Sequence, residues 1–120
     1  MEGRENKLLD RTFQFGVNTI LFLRSIPDST ESKILKHQLI KAATSIAANY
    51  EEAQGAQSRK DFKHKIQIVL KEAREANYWL RLLGHLYLDN KPLFELIQES
   101  KELKNIIGAI LIKLKEKSKD

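Results

Sequence analysis

Basic side chains are concentrated in the stretch that follows Ser58. The group comprises Arg59, Lys60, Lys63, His64 and Lys65, against a single acidic neighbour, Asp61. Cations at the start of a helix oppose the helix dipole, a small cost that a solvated surface tolerates and that a bound phosphate would explain. Two interpretations therefore stay open for this stretch: a solvated surface, or a surface that contacts the phosphates of a nucleic acid.

Further lysines extend the positive charge beyond this stretch. They occur at Lys33, Lys36 and Lys41 and at alternate positions from Lys113 to Lys119, and the whole chain carries a formal net charge of +5. This basic balance is compatible with an anionic partner such as nucleic acid. No aromatic side chain is interleaved with the charges as a platform for base stacking, which favours the solvated interpretation. The residues predicted to contact phosphates are Arg59, Lys60, Lys63, Lys36 and Lys41.

Small and polar residues recur at helical spacing between Gln38 and Asn49. Gln38, Ala42, Ser45 and Asn49 follow one another at intervals of four, three and four, on or beside an apolar stripe. Small residues let a neighbouring helix approach closely, and a buried amide must find partners, so that such a set can fix the register of a helix pair. A polar ligand site is the alternative. We predict a structural polar network that comprises Gln38, Ser45, Asn49 and Glu75.

No set of residues points to catalysis or to a metal centre. The chain has no cysteine, and its three histidines, His37, His64 and His85, lie on different helical turns. The paired Glu-x-x-His signature of di-iron bundles is missing, and Glu75 is a lone carboxylate without a second group for acid–base chemistry. The sequence also contains no phosphate-binding glycine loop, nucleophile elbow or zinc-ligand spacing. We therefore predict a protein without enzymatic activity, cofactor or metal.

Four stretches of apolar residues at spacings of three and four predict four helices. The longest runs without a proline from Ser58, a potential N-cap, to Leu88. Helix-breaking residues separate the four: Pro27, Gly55, and the segment from Asp89 to Pro92. The predicted helices span about 5–25, 31–54, 59–88 and 92–117. Because they share one period and the connections are short, we predict a single domain, 1–120, with the all-α fold of an antiparallel up-down-up-down four-helix bundle.

The same spacing predicts which residues face the core. On the first helix the predicted core stripe is Leu9, Phe13, Gly16, Ile20 and Leu23, and on the third it starts at Phe62 and ends at Tyr87. Several apolar residues lie outside the stripes: Val17, Leu21, Phe22, Trp79, Leu82, Phe94, Ile97, Ile106 and Ile112. An apolar arc too wide for one core predicts a second interface and therefore self-association, although the same residues could instead widen the core contact.

Three segments resemble a bacterial family of four-helix bundles that is encoded by intervening sequences within 23S rRNA genes. They are Gln38–Asn49, Ser58–Phe62 and Glu75–Leu83, and the resemblance spans essentially the whole chain. The chain departs from the family pattern at Lys41, where the family has arginine, and at Tyr50–Ala53, where the family has Ile-Ala-Glu-Gly. The change at Lys41 keeps the charge but loses the planar fork of a guanidinium.

This resemblance implies a ring-like homo-oligomer, often a pentamer, with no established enzymatic activity. A related branch of the family serves as the accessory protein of diversity-generating retroelements. In that branch a basic pentamer binds a reverse transcriptase and nucleic acid, which implies both as candidate partners for this chain.

Together these observations predict a non-enzymatic, homo-oligomeric bundle that binds nucleic acid, RNA rather than DNA, through basic surface patches. The alternative is a protein–protein interaction scaffold or accessory subunit whose positive charge is incidental. The first twenty residues mix charged and apolar positions and so do not form an export signal, and no apolar run approaches the length of a membrane span. We therefore predict a cytoplasmic location and no membrane partner.

Overall fold

The computed structural model describes residues 4–87 and 89–118 and shows four α-helices in this part of the chain, with no strand. Their bounds are Arg4–Leu23 (α1), Thr30–Gln54 (α2), Arg59–Leu86 (α3) and Lys91–Ser118 (α4). The predicted helix ends lie within two residues of the observed ones. Leu88, the predicted end of the third helix, lies outside the described residues. No described helix combines the length and the apolarity needed to cross a membrane.

The starts of α2 and α3 follow from local side-chain chemistry. Ser29 caps α2: its Oγ accepts a hydrogen bond from the Ser32 backbone N–H at 3.1 Å, and the Ser32 Oγ accepts one from the Ser29 N–H at 2.7 Å. Ser58 caps α3, as predicted, by accepting from the Asp61 N–H at 3.0 Å. The Asp61 carboxylate accepts a hydrogen bond from the backbone N–H of Gln57 at 3.3 Å. In a standard capping box this bond would come from the N–H of the cap residue, Ser58, so here it comes from the residue before the cap.

Helices α3 and α4 pack against each other in antiparallel directions. Asn77 of α3 forms a hydrogen bond with Ser100 of α4, and Gly84 of α3 packs against Leu93 of α4. Moving forward by seven residues on α3 thus corresponds to moving back by seven residues on α4. Each consecutive pair of helices packs closely, whereas α1 and α4, which close the bundle, make the sparsest contact. The described residues thus form the predicted all-α four-helix bundle, with its α1–α4 side loosely closed.

The buried face of α1 differs from the predicted stripe. Phe13, a predicted core residue, is 62% exposed, whereas Phe15 is 1% exposed. The buried positions are Leu8, Thr12, Phe15, Gly16, Thr19, Phe22 and Leu23. The prediction was wrong because two of these positions hold threonine, which a search for apolar periodicity counts as polar. Thr12 fits the core because its hydroxyl donates to the Leu9 carbonyl at 3.0 Å.

The remaining apolar residues divide between the core and the surface. The predicted stripe of α3 is confirmed from Ile66 to Leu83, and Phe62 and Tyr87 lie half-buried at its ends. Phe22, predicted to lie outside the core stripe, is buried. Four large apolar side chains on α1 and α4 remain exposed: Phe13, Leu21, Phe94 and Ile112. These four side chains are apolar surface that the bundle itself does not cover.

Thr19 is fully buried, and its hydroxyl has no hydrogen-bond partner among the described residues. A buried hydroxyl that has lost its water without gaining a partner destabilises the folded state. We expect Thr19→Val, which keeps the side-chain shape, to raise the free energy of unfolding by about 1 kcal/mol. Thr12→Val is the matched control, because it removes a hydroxyl that does donate a hydrogen bond. Urea denaturation followed by circular dichroism measures both, and a decrease for Thr19→Val would contradict the expectation.

Candidate nucleic-acid interface

Three of the residues predicted to contact phosphates form one group at the start of α3. Arg59 and Lys60 are exposed and Lys63 is half-buried, and within the described residues none of the three pairs with a carboxylate. Lys65 differs, because its ammonium lies 2.8 Å from the Glu52 carboxylate, and this contact raises the pKa of Lys65. Within the described residues, the cations of Arg59, Lys60 and Lys63 are therefore not held in ion pairs.

The other two predicted residues lie elsewhere, on α2. The Lys36 side chain is 15% exposed, and its ammonium contacts the backbone carbonyl of Ile26 and, at 2.9 Å, the carboxylate of Asp28. This contact ties the α1–α2 turn to α2 and lowers the pKa of Asp28. Lys36 precedes the end of α2 by 18 residues, about 27 Å at 1.5 Å per residue. Lys36 thus has a structural role far from α3's first turn, and Lys41 lies exposed farther along the same helix.

Cations continue along the outer side of α3, well beyond the predicted group. At spacings of three and four, with Lys63 and His64 both following Lys60, one side of the helix carries Lys60, Lys63, His64, Gln67, Lys71, Arg74, Tyr78, Arg81 and His85. No aspartate or glutamate interrupts this series. We call its lysines and arginines, Lys60, Lys63, Lys71, Arg74 and Arg81, the basic stripe. Sequence reasoning missed the last three, although the signal was present: the spacing that was applied to apolar residues also holds for these cations.

Lysines of α4 border the basic stripe. Lys104 lines the same surface groove as Arg74, together with Gly108 and Ile112. Lys101 is exposed one helical turn before Lys104. In the described part of the chain, neither lysine pairs with a carboxylate. The outer surfaces of α3 and α4 therefore combine into one positively charged side of the bundle.

An aromatic ring lies within this surface, which corrects the expectation that none is interleaved with the charges. Tyr78 is 49% exposed and stands between Arg74 and Arg81 in the series. The Arg81 guanidinium carbon lies 6.0 Å from the centre of the Tyr78 ring. The Trp79 ring contacts Tyr78 edge-on, with ring centres 4.9 Å apart at an angle of 75°. Tyr78 lies 20 residues after Ser58, beyond the basic group at the start of α3 on which the expectation rested.

The predicted polar network of α2 and α3 is not formed as one unit. Its four members, Gln38, Ser45, Asn49 and Glu75, are half-buried. Within the described residues, the hydrogen bond made by this set is local: the Asn49 side-chain amide donates to the backbone carbonyl of Ser45 at 2.9 Å. Glu75 lies close enough to Glu72 to affect its ionisation. These side chains therefore do not link α2 to α3 through hydrogen bonds to one another.

A side-chain hydrogen bond that the sequence analysis missed connects α3 to α4. Asn77 Nδ2 donates to the Oγ of buried Ser100 at 2.9 Å, and Ser100 Oγ donates to the Ile97 carbonyl at 2.8 Å. The Asn77 Oδ1 accepts from Arg81 Nε at 2.9 Å. This chain of hydrogen bonds runs from the core to a cation of the basic stripe, and so it orients the Arg81 guanidinium.

Glu72 is a half-buried carboxyl on α3 whose ionisation depends on its surroundings. Burial, followed by the nearby charge of Glu75, raises its pKa above the ordinary value of 4.5, and Lys71 and Lys41 oppose the shift. Because the folded state holds the Glu72 proton more tightly than the unfolded state does, protonation of Glu72 favours the folded state. This contribution to the free energy of unfolding is fully present below the unfolded-state pKa. It is lost as the pH rises through the folded-state pKa.

We expect Glu72→Gln, which cannot ionise, to increase the free energy of unfolding at pH 7 relative to the wild type. The variant should also lack the part of the decrease in the free energy of unfolding between acidic and neutral pH that the ionisation of Glu72 causes. Glu51→Gln, at an exposed position on α2, makes the same change in net charge and serves as the control. Urea denaturation at pH 4 and pH 7 measures the difference. Equal pH profiles for the two variants would rule out the effect of burial on Glu72.

The other side of α4 carries the opposite charge. Arg11 of α1 donates to Glu99 through two hydrogen bonds, of 2.9 and 2.6 Å, and to Glu102 through one of 3.1 Å. The hydrogen bond to Glu99 raises the pKa of Arg11, while hydrogen bonds from Gln98 and then Arg11 lower the pKa of Glu102. Glu95 lines the same side. Between Glu95 and Lys104, α4 thus separates a lysine beside α3, Lys104, from glutamates near α1.

Among the described residues, no three histidine, aspartate or glutamate side chains are grouped to hold a metal ion. The histidines are exposed: His37 is on α2, and His64 and His85 lie on α3. The features of the described surface that could bind a ligand are therefore its positively charged side and the exposed ring of Tyr78.

Fold and surface together define the class of protein: a small all-α bundle of four helices with one positively charged side. The chain belongs to the 23S rRNA-intervening sequence protein family, whose family model matches residues 4–109. This match confirms the resemblance stated from the segments of α2 and α3.

Solved structures similar to this chain include one that matches over most of its length. It is a 1.70 Å crystal structure of a protein with unknown function from the S23 ribosomal protein family of Bacteroides thetaiotaomicron. The TM-score is 0.78 at 30% sequence identity, and the alignment covers 87% of this chain and 97% of that chain. No curated protein matches the chain.

Proposed function

We propose that the protein binds nucleic acid, RNA in preference to DNA, without catalysing a reaction. The observation that supports this most directly is the basic stripe, which follows α3 from Lys60 to Arg81, about 32 Å at 1.5 Å per residue. Within the described residues no carboxylate forms an ion pair with the stripe. A row of cations of this length that are not paired with carboxylates attracts a polyanion and can contact several phosphates in succession.

The chemistry of these contacts is that of backbone recognition. Arginine and lysine side chains bind phosphate oxygens, which positions a nucleic acid but does not by itself read its sequence. Arg59, Lys101 and Lys104 widen the positive surface on either side of the stripe. The preference for RNA rests on the family, whose description refers to 23S rRNA.

We also propose that the chain forms a homo-oligomer, with the pentamer suggested by the family resemblance. The exposed apolar side chains of α1 and α4 supply surface for such an interface: Phe13, Leu21, Phe94 and Ile112. Assembly would repeat the basic stripe in each subunit, so that weak contacts add up through avidity. Multi-angle light scattering measures the assembly, and a pure monomer at tens of micromolar would contradict this part of the proposal.

A second candidate function is a protein–protein interaction scaffold, and the loosely closed α1–α4 side favours it. A groove on this side is lined by the apolar residues Leu8, Ile106 and Ile110 and by the cations Lys7, Arg11 and Lys113. An apolar groove with charged edges suits the side chains of a partner protein. In that case the positive charge of α3 would be incidental.

An electrophoretic mobility shift titration distinguishes the two functions. Protein washed at high salt, to remove co-purified nucleic acid, is titrated against 23S rRNA fragments and against duplex DNA of equal length, at two salt concentrations. Tighter binding to RNA that weakens steeply with salt supports the nucleic-acid function, because each phosphate contact releases counterions. No shift at the lower salt concentration would overturn it and leave the scaffold.

A further inference from the structure

We infer that Tyr78 stacks on an unpaired base of the bound nucleic acid, so that the protein selects looped or single-stranded segments over regular duplex. This inference rests on the proposed function and deepens it, because it names the form of nucleic acid that fits the surface. Tyr78 is 49% exposed and is the aromatic member of the basic series on α3.

The Tyr78 ring is held in place by two contacts, although the residue as a whole remains 49% exposed. Trp79 packs against it edge-on, at 4.9 Å between ring centres. The Arg81 guanidinium, 6.0 Å from the ring centre, is itself held by Asn77, which is hydrogen-bonded to Ser100 in the core. A ring that is already oriented loses little conformational freedom when a base stacks on it, so that more of the stacking energy remains for binding.

Cations stand on both sides of the ring along the helix. Arg74 lies four residues before Tyr78 and Arg81 three residues after it, so both guanidinium groups are on the same side of α3. A base that stacks on Tyr78 therefore carries its flanking phosphates toward arginine side chains. In a regular duplex every base is already stacked between its neighbours, and its face is not available to a side chain. The arrangement consequently favours a nucleotide that is unpaired.

The test compares two RNAs of equal length: a hairpin with 2-aminopurine in its unpaired loop, and a fully paired duplex. We expect wild-type protein to bind the hairpin more tightly and to quench the loop fluorescence, because stacking quenches 2-aminopurine. Tyr78→Ala is expected to lower the affinity for the hairpin about tenfold and to abolish the quenching, with duplex affinity unchanged. Tyr78→Phe keeps the aromatic face and is expected to retain both hairpin affinity and quenching.

Leu86→Ala is the matched control, because Leu86 is also 49% exposed on α3 but lies outside the basic series. It should leave both affinities unchanged. The inference is overturned if Tyr78→Ala binds the hairpin as tightly as the wild type, or if it weakens hairpin and duplex binding equally. Failure of the proposed function has a different signature: neither RNA binds to the wild type or to any variant, and the inference about Tyr78 then fails with it.

Discussion

Replacing Lys60, Lys63 and Arg74 by glutamine is expected to lower the affinity for RNA about 100-fold at about 0.1 M salt. Each phosphate contact contributes roughly 0.7–0.9 to the slope of log affinity against log salt concentration, so that three lost contacts flatten the slope by about 2 to 3. The three side chains lie on one side of α3, and none is paired with a carboxylate in the described part of the chain. The shift titration with 23S rRNA fragments measures both the affinity and the slope.

The matched control makes the same change in net charge at another part of the surface. Arg24, Lys33 and Lys91 are exposed, and they lie at the end of the bundle where α1 ends and α2 and α4 begin. Their replacement by glutamine should change the affinity by only a few fold, through the general field of the protein. If both triple variants lose affinity equally, net charge alone attracts the RNA and the basic stripe has no special part. Circular dichroism confirms that both variants keep their helices.

Gly84→Ala is expected to lower the free energy of unfolding by about 2 kcal/mol, because it overpacks the α3–α4 contact. A Cβ atom at this position would lie 2.3 Å from Cδ2 and 3.4 Å from Cγ of Leu93, which is itself buried. The Leu93 side chain must therefore turn or α4 must move away from α3. This loss exceeds the gain in helix propensity, which is at most about 1 kcal/mol for glycine to alanine. Urea denaturation followed by circular dichroism measures the difference.

Gly108→Ala is the control for this prediction and should have the opposite sign. Apart from the adjacent backbone of α4 itself, no atom lies within 4 Å of a Cβ at Gly108, so the substitution should stabilise α4 by roughly 0.5–1 kcal/mol. Leu93→Ala should lower the loss caused by Gly84→Ala when the two are combined, because the clashing methyl group is gone. A stabilising Gly84→Ala would mean that Leu93 has a second rotamer available at little cost.

The positions of the helices could be predicted because their signals are local. Ser29 and Ser58 bond to backbone groups three residues away, and Gly55 directly follows the last residue of α2. Pro92 stands in the first turn of α4, where its missing N–H has no partner to lose. Interactions that involve residues within one helical turn can be found without knowledge of the fold.

The core face of α1 could not be predicted in the same way, because it depends on what the helix packs against. Phe13 and Phe15 are equally apolar, yet one is exposed and the other buried. Thr12 and Thr19 occupy core positions that an apolar pattern assigns to leucine or phenylalanine. On α3 the apolar pattern was regular, and there the predicted face is confirmed.

For the candidate nucleic-acid interface, too, one part could be predicted from the sequence and another part could not. The group at Arg59, Lys60 and Lys63 is visible in the sequence because its members are neighbours along the chain. Whether a given cation is free depends on contacts between elements: Lys36 is held at the α1–α2 turn, and Lys65 by Glu52 on the adjacent helix. These partners lie 8 to 13 residues away along the chain, and local spacing does not reveal them.

The sequence by itself determined where the four helices begin and end, the buried face of α3, the excess of positive charge and the family. These properties depend on composition and on contacts within one or two helical turns. Only the tertiary structure decided which way α1 is rotated, which cations are paired and that Lys104 of α4 lies beside Arg74 of α3. The reason is physical: a helix can bury any of several faces at similar local energy, and packing against its neighbours selects one of them.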